Sequence, residues 1–411
     1  MSTLLEQVAQ ANDSTYDVQF YFAKAAALSK ELAASAVERD RIAGIPHLEI
    51  QKLREAGLLP LLVPHAYGGI GATWVEGLRI VRELSKADGS TGQLYANQLI
   101  LSTLGQVAGT SAQAERFYRA TAQQHLFWGN AVNTRDNRLK IVPEGDYLRD
   151  GKAERYRVNG VKSFGTGVVV ADMRVFSAMQ DGGEFPVFFV VPKDREGIHY
   201  NEDWDNMGQR RTASGSVTFH NVLVTSDEIL GPPPFPESGF ATLLFVVNQL
   251  AKTHVYLGIA EGAFEAVQQY TTTHTRPWLA SGVERGSQDP YILHHYGELW
   301  TQLQATIALA DRAAQQVQVA WDKGWKLSPV ERGEVAIPIY AARACATKVG
   351  LDLTTQIFTV MGARSTAAIY GFDRYWRDLR TFTLHDPVDY KLRDIGNWVL
   401  NHELPVATQY S

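Results

Sequence analysis

Gly231-Pro232-Pro233-Pro234 divides the chain into unlike parts. Successive prolines offer no backbone N–H and bias the residue before each away from helix, so the run reads as a linker. Beyond it, helical patterns run for long distances: Ala241 to His274, Pro290 to Lys323, Pro329 to Met361 and a shorter stretch from Val388 to Leu400. In the first of these, Gly258, Ala260, Gly262 and Ala263 are small enough to let another helix approach closely.

Before the linker the texture changes. Tyr156 to Phe164, Met173 to Ala178 and Val187 to Val191 are short and rich in β-branched or aromatic residues, and Ser214 to Val224 alternates. Asn159-Gly160 and Asp181-Gly182-Gly183 are the expected turns. Earlier still, from Val18 to about Gln124, the pattern is helical again. Lys24 to Asp40 is rich in Ala, Glu and Arg, with apolar residues recurring at helical spacing. Pro46 opens another through Leu53 with Gly57 as its C-cap, and helices follow at Trp74 to Ala87 and from about Ser90. The expected architecture is α+β: an N-terminal helical domain over 1–125, a middle β-barrel-like domain over 126–235 and a C-terminal helix bundle over 236–411.

Composition narrows the function. With 411 residues the chain can bury two or three cores, and a net charge of -5 argues against a general nucleic-acid binder. The single cysteine, Cys345, excludes an internal disulfide framework and lies in an Ala-rich run where a buried bystander is expected. No apolar stretch is expected to span a bilayer. Met1 to Asp17 has no apolar run after basic residues, so no signal peptide is expected and cytoplasm is the expected location.

Several chemistries find no support. Glu196-Gly-Ile-His199 occurs once and reads as a loop, and His294-His295 would project apart on a helix, so no metal site is expected. There is no Gly-x-Ser-x-Gly elbow and no Walker loop. Gly69-Ile-Gly71 lacks the third glycine of a dinucleotide fingerprint.

Motifs in order along nearly the whole chain resemble the acyl-CoA dehydrogenase superfamily. Pro64-His-Ala-Tyr-Gly-Gly-Ile-Gly71 is similar to the loop after its first helices, and Val158-Asn-Gly-Val-Lys-Ser-Phe-Gly-Thr-Gly167 to its flavin strand. Met207-Gly-Gln-Arg-Arg-Thr-Ala-Ser214 and Phe219-His-Asn-Val222 resemble the next strand pair. In many of these dehydrogenases a glutamate follows Arg-Asp-x-Arg-x-Tyr and removes the substrate α-proton. In Arg377-Asp-Leu-Arg-Thr-Phe-Thr-Leu-His-Asp-Pro387 that position is Thr383, whose hydroxyl is far too weak a base.

Other segments resemble the superfamily's reduced-flavin-dependent monooxygenase branch, which includes dibenzothiophene and alkanesulfinate monooxygenases. They are Ala36-Val-Glu-Arg-Asp-Arg41, Phe127-Trp-Gly-Asn-Ala131, Tyr256-Leu-Gly-Ile-Ala-Glu-Gly-Ala263, Trp321-Asp-Lys-Gly324 and Leu384-His-Asp-Pro-Val-Asp-Tyr-Lys391. The resemblance implies a homotetramer that takes reduced FMN from a separate NAD(P)H-dependent flavin reductase. It further implies that dioxygen adds at flavin C4a, and that the hydroperoxide oxygenates the sulfur of a small organosulfur compound. The alternatives are flavin-dependent N- or C-hydroxylation, an FAD-dependent dehydrogenase, or a flavin-binding subunit without catalysis.

The same resemblance assigns residues. Phe164, Thr166 and Asn130 become flavin contacts, where by themselves they would read as a core Phe, a strand Thr and an Asx-turn. Arg276, in Arg276-Pro-Trp278, and Arg364, in Gly362-Ala-Arg364, are phosphate candidates. A planar cation at Arg364 suits a terminal phosphate, which favours FMN over FAD. His385 is the catalytic candidate, a hydrogen-bonding or proton-relay group near the flavin, with Thr166 and Asn130 beside it. Asp386 is expected to N-cap the helix that Pro387 opens. Trp204, Gln93 and Asn97 are expected to line the substrate pocket. Gln93 and Asn97 stand where the dibenzothiophene enzyme has His and Tyr, and Ser163 where it has another His, which makes this pocket more polar.

Overall fold

The computed structural model describes residues 17–145, 148–149, 152–180, 182–183, 186–231 and 238–408. Most of the proline linker, Asp181 and the polar N-terminal stretch before Asp17 lie outside the described residues.

Among the described residues six α-helices come first: α1 (Val18–Ala33), α2 (Ala36–Ile42), α3 (His47–Glu55), α4 (Trp74–Ala87), α5 (Gly89–Ala108) and α6 (Ser111–Gln124). The helical stretch over Lys24 to Asp40 is shared by two helices, α1 and α2, with a break at Ala34–Ser35. The break turns buried Arg39 back onto the Leu32 carbonyl, 2.8 Å away, and toward Glu49 at 2.7 Å and Asp88. Asp88 also N-caps α5 by accepting from the backbone of Ser90 and Thr91. Two partners per ion offset the cost of burying these charges.

The middle of the chain forms a seven-stranded mixed sheet. Its strands are β1 (Trp128–Ala131), β2 (Lys140–Pro143), β5 (Arg155–Lys162), β6 (Met173–Gln180), β7 (Val187–Pro192), β8 (Ile198–Tyr200) and β9 (Val217–Thr225), while β3 (Leu148–Arg149) and β4 (Lys152–Ala153) pair separately. The order is β1-β6-β2-β5-β9-β8, with β7 also on β6; β1 and β2 run parallel to β6 and the other pairs are antiparallel. Ile141, Val158, Phe176, Phe189, Phe219 and Val224 fill its core.

Asn159-Gly160 is not a turn. It lies inside β5, where the register with β9 shifts between Val158 and Gly160. A Cβ at Gly160 would stand 2.1 Å from the Arg138 carbonyl oxygen, so the glycine serves a bulge and a close approach. His199 is likewise in a strand, β8, rather than a loop. The β5 strand ends at Lys162, two residues before Phe164.

The last helices are α7 (Gly239–Thr273), α8 (Pro290–Lys323), α9 (Pro329–Met361), α10 (Asp373–Thr383) and α11 (Val388–Asn401). The small residues of α7 act as expected. A Cβ on Gly258 would lie 2.3 Å from the Arg82 carbonyl, and one on Gly262 2.0 Å from that of Lys86, so α4 crosses α7 almost backbone to backbone. Contrary to expectation, α7 is long and apolar enough by composition to cross a membrane; 89% of that stretch is buried inside the protein. A helix apolar on all sides is also what the centre of a bundle requires. Cys345 is exposed, not buried, because the phase of α9 turns Ala342, Arg343 and Ala346 inward and leaves it outside.

Candidate active site

The segment after β5 folds back on the sheet and on the loop before β9. The amide of Gly165 donates to Gly215 O at 2.7 Å, and that of Gly167 to Thr212 O at 3.0 Å. Between them Thr166 is buried. Its hydroxyl is 2.9 Å from that of Ser214, which lies 2.8 Å from that of Thr212. The amide of Asn130 donates to the Thr166 carbonyl at 3.2 Å, and the side chain of Asn97 donates to Asn130 Oδ1 at 3.4 Å. Gln93 lies one turn before Asn97 on α5, and its Oε1 is buried without a hydrogen-bond partner. Ser163 is tied elsewhere, donating to Asp136 Oδ2 at 2.8 Å.

Phe164 is the exception in this compact stretch. Its φ of 60° is uncommon outside glycine, and 57% of its surface is exposed. Trp204 meets its ring edge-on at 6.4 Å while donating Nε1–H to the Gln209 carbonyl at 2.9 Å. The Gln209 amide in turn donates to Asp378 Oδ1 on α10 at 2.6 Å, and a Cβ at Gly208 would fall 2.0 Å from the Arg377 carbonyl. The β-sheet side of the site is thereby fastened to the helix that ends at Thr383.

Thr383 is buried, and its hydroxyl donates to the Arg380 carbonyl at 3.0 Å. His385 follows in the α10–α11 turn with 40% of its side chain exposed. Its Nδ1 lies 3.1 Å from Asp386 Oδ1, and Lys252 Nζ from α7 stands 3.2 Å from Nδ1 and 3.3 Å from Nε2. Crowding by protein and then the Lys252 charge push the His385 pKa down to about 4. Burial, partly opposed by Asp386, brings Lys252 down to about 7.

Asp386 does not cap α11; the N-cap there is Pro387, and α11 has no side-chain cap bond. The Asp386 carboxylate turns inward to Arg343 Nη2 at 2.8 Å, with Lys391 at 3.9 Å. Arg343 is 1% exposed, and a buried guanidinium outcompetes backbone amides for a carboxylate within its reach. Burial raises the Asp386 pKa, but His385, Arg343 and Lys252 overcome it and hold the group well below the usual carboxylate range.

Arg276 and Arg364 are both exposed, on segments joined where Thr275 Oγ1 donates to the Met361 carbonyl at 3.4 Å. The described contacts join neither to Phe164, Thr166 or His385. Of the sequence-derived residues, then, Asn97, Asn130 and Thr166 form one network, Phe164 and Trp204 one contact, and Gln93 shares the face of Asn97. The two arginines form a separate surface.

The residues that sequence reasoning missed are Ser214, Lys252 and Arg343. Lys252 had a signal: between Ala241 and Gly258 it is the only lysine or arginine in a strongly apolar helix. Such a charge is buried only where it has partners.

Models of the acyl-CoA dehydrogenase N-terminal, middle and C-terminal domains match residues 22–125, 144–222 and 250–390. The chain belongs to the acyl-CoA dehydrogenase family, on the branch whose members are named monooxygenases. It is 42% identical over 390 residues to the dibenzothiophene monooxygenase of Mycolicibacterium goodii, covering 92% of this chain and 93% of that one. It is 40% identical to SfnC of Pseudomonas putida, named a probable FMNH2-dependent monooxygenase, over 93% of this chain and 95% of that one. Among solved structures, the methanesulfinate monooxygenase of Pseudomonas fluorescens superposes with a TM-score of 0.91 at 41% identity, covering 97% of this chain and 100% of that one.

Proposed function

We propose that this chain is the oxygenase component of a two-component system, oxygenating the sulfur of a small organosulfur compound with reduced FMN. The observation that carries the reading is the α10–α11 turn. The dehydrogenase base position, Thr383, is closed off on its own helix, while His385, two residues on, is held by Asp386 and Lys252. Relatives named for dibenzothiophene and methanesulfinate support a sulfur substrate. The amides Gln93 and Asn97 favour a small polar one over a flat polycycle.

The residues present fit FMN. Gln93 Oε1 is a buried acceptor that lacks a donor, and the exposed Phe164 ring, braced by Trp204, is a surface for a flat ring system. Asn130 and Thr166 stand beside it on a rigid hydrogen-bond network. Bound reduced FMN would supply two electrons and two protons to dioxygen, so that one oxygen atom reaches sulfur and the other leaves as water. The chain's own part is to orient the two reactants, exclude water and hold a proton at His385.

A homotetramer is part of the same reading. Trp278, Leu279, Tyr291, Ile369 and Leu400 leave the helix bundle with exposed apolar side chains, and Arg276 lies two residues from Trp278. In an assembly built on that surface, Arg276 and Arg364 would face the phosphate of an FMN held by a neighbouring copy.

The test is product formation. Purified protein with FMN, NADH and a panel of sulfides and sulfinates should give no product, and adding an NADH-dependent flavin reductase should give the oxygenated compound. Product without the reductase, or none with it across the panel, would overturn the reading.

A further inference from the structure

Lys252 is a buried amine, charged below about pH 7, with both ring nitrogens of His385 within 3.3 Å. It reaches the turn from the middle of α7, while Arg343 comes from α9 and Lys391 from α11. Asp386 is the carboxylate these three share: Arg343 Nη2 binds its Oδ1 at 2.8 Å and Lys391 lies 3.9 Å from its Oδ2. Aromatic faces back two of the cations, Tyr256 at 5.2 Å from Arg343 and Tyr340 at 4.7 Å from Lys391. His385 therefore lies against a buried cluster in which positive charge exceeds negative. A proton added to its ring would be a further cation beside Lys252 and Arg343, the two positive charges that already act on it. The neutral ring fits instead, with Nδ1–H donating to Asp386 and the Nε2 lone pair accepting from Lys252.

We propose that Lys252 is a positioning residue for the oxygenation step, fixing His385 as a neutral imidazole of one tautomer. The assignment rests on the monooxygenase reading given above. Its physical content is that His385 keeps one proton, on the nitrogen facing Asp386, and takes up a second only against the charge of Lys252. The depressed His385 pKa, lowered by the crowding of surrounding protein and then by Lys252, agrees with this.

The test separates the two claims. Flavin-free protein labelled at histidine Cε1 is titrated by NMR, with the His385 signal assigned by its loss in His385→Ala. In the parent that signal should not titrate above pH 5. In Lys252→Met it should titrate with a midpoint higher by about one pH unit or more, since Asp386 remains. Lys252→Arg should restore the parent curve. Lys252→Gln keeps a donor without the charge and should behave as Lys252→Met, so the answer does not hang on one variant folding. With reduced FMN supplied, product per FMNH2 should fall on the acid side in Lys252→Met and recover in Lys252→Arg. An unchanged His385 titration in Lys252→Met and Lys252→Gln, or a parent ring titrating near pH 6.5, would overturn the Lys252 assignment whatever the product yield. Absence of product in the parent would overturn the monooxygenase reading instead, leaving the titration result intact.

Discussion

Thr383 donates its hydroxyl hydrogen to the carbonyl of Arg380 at 3.0 Å, within its own helix. The side chain is buried and committed to the backbone, so the position offers neither a base nor a reachable donor. Thr383→Glu would restore a carboxylate there, but as a charge at a buried position. The expected result is no acyl-CoA-dependent dye reduction above the parent's level, together with weaker oxygenation. Dye reduction with a range of acyl-CoA thioesters is the measurement; robust turnover in the variant would show that the dehydrogenase site survives intact apart from one residue.

Arg364 and the loop carrying Arg276 meet on an exposed surface, so their role as phosphate ligands is testable through affinity. FMN should bind the assembled protein more tightly than FAD. Charge-assisted contacts contribute about 1.5–3 kcal/mol, so Arg364→Gly should weaken FMN roughly tenfold or more and narrow its advantage. Calorimetry with both flavins on parent and variant decides it, and a parent that prefers FAD refutes it.

The helical elements were legible because their signals are local. Pro290, Pro329 and the small-residue stretch of α7 each act within a turn or at one crossing. Gly160 misled because Asn-Gly marks a hairpin turn and a bulge equally well; only the Arg138 carbonyl, from the turn before β2, distinguishes them. Asp386 misled in the same way. An Asp before Pro is a good N-cap until a buried Arg343 arrives from a helix 43 residues away in sequence. His385 was found through resemblance, but its partner Lys252 is 133 residues distant and belongs to no motif.

Asp378 should make stability depend on pH. Burial first, then Asp88 and Asp40, push its pKa up to about 7, against the pull of the Gln209 amide and Arg374. The folded state therefore holds a proton that the unfolded chain releases near pH 4. Its stabilising contribution is complete below that pH and is lost as pH rises through about 7. Asp378→Asn keeps an oxygen for the Gln209 N–H but cannot ionise. Relative to the parent, its melting temperature should gain between pH 5 and pH 8. Parallel pH profiles for the two proteins would show that Asp378 does not titrate in this range.

His385→Ala tests the catalytic assignment most directly. The ring is 40% exposed and caps no helix, so its loss should leave the fold and the assembly intact. The contrast is Asp386→Asn, which would leave the 1%-exposed Arg343 without its carboxylate; breaking a buried pair in this way typically costs about 3–5 kcal/mol. A hydrogen-bonding or acid–base role typically contributes roughly 10²–10⁴-fold, so product formation in His385→Ala should fall by about that order. Electrons will still arrive, because the reductase supplies them independently. NADH consumption should therefore persist while hydrogen peroxide replaces oxygenated product. The measurement is the ratio of product to peroxide at fixed NADH turnover. A variant that oxygenates as well as the parent would reduce His385 to a structural residue and remove the ground for assigning Lys252 to the reaction.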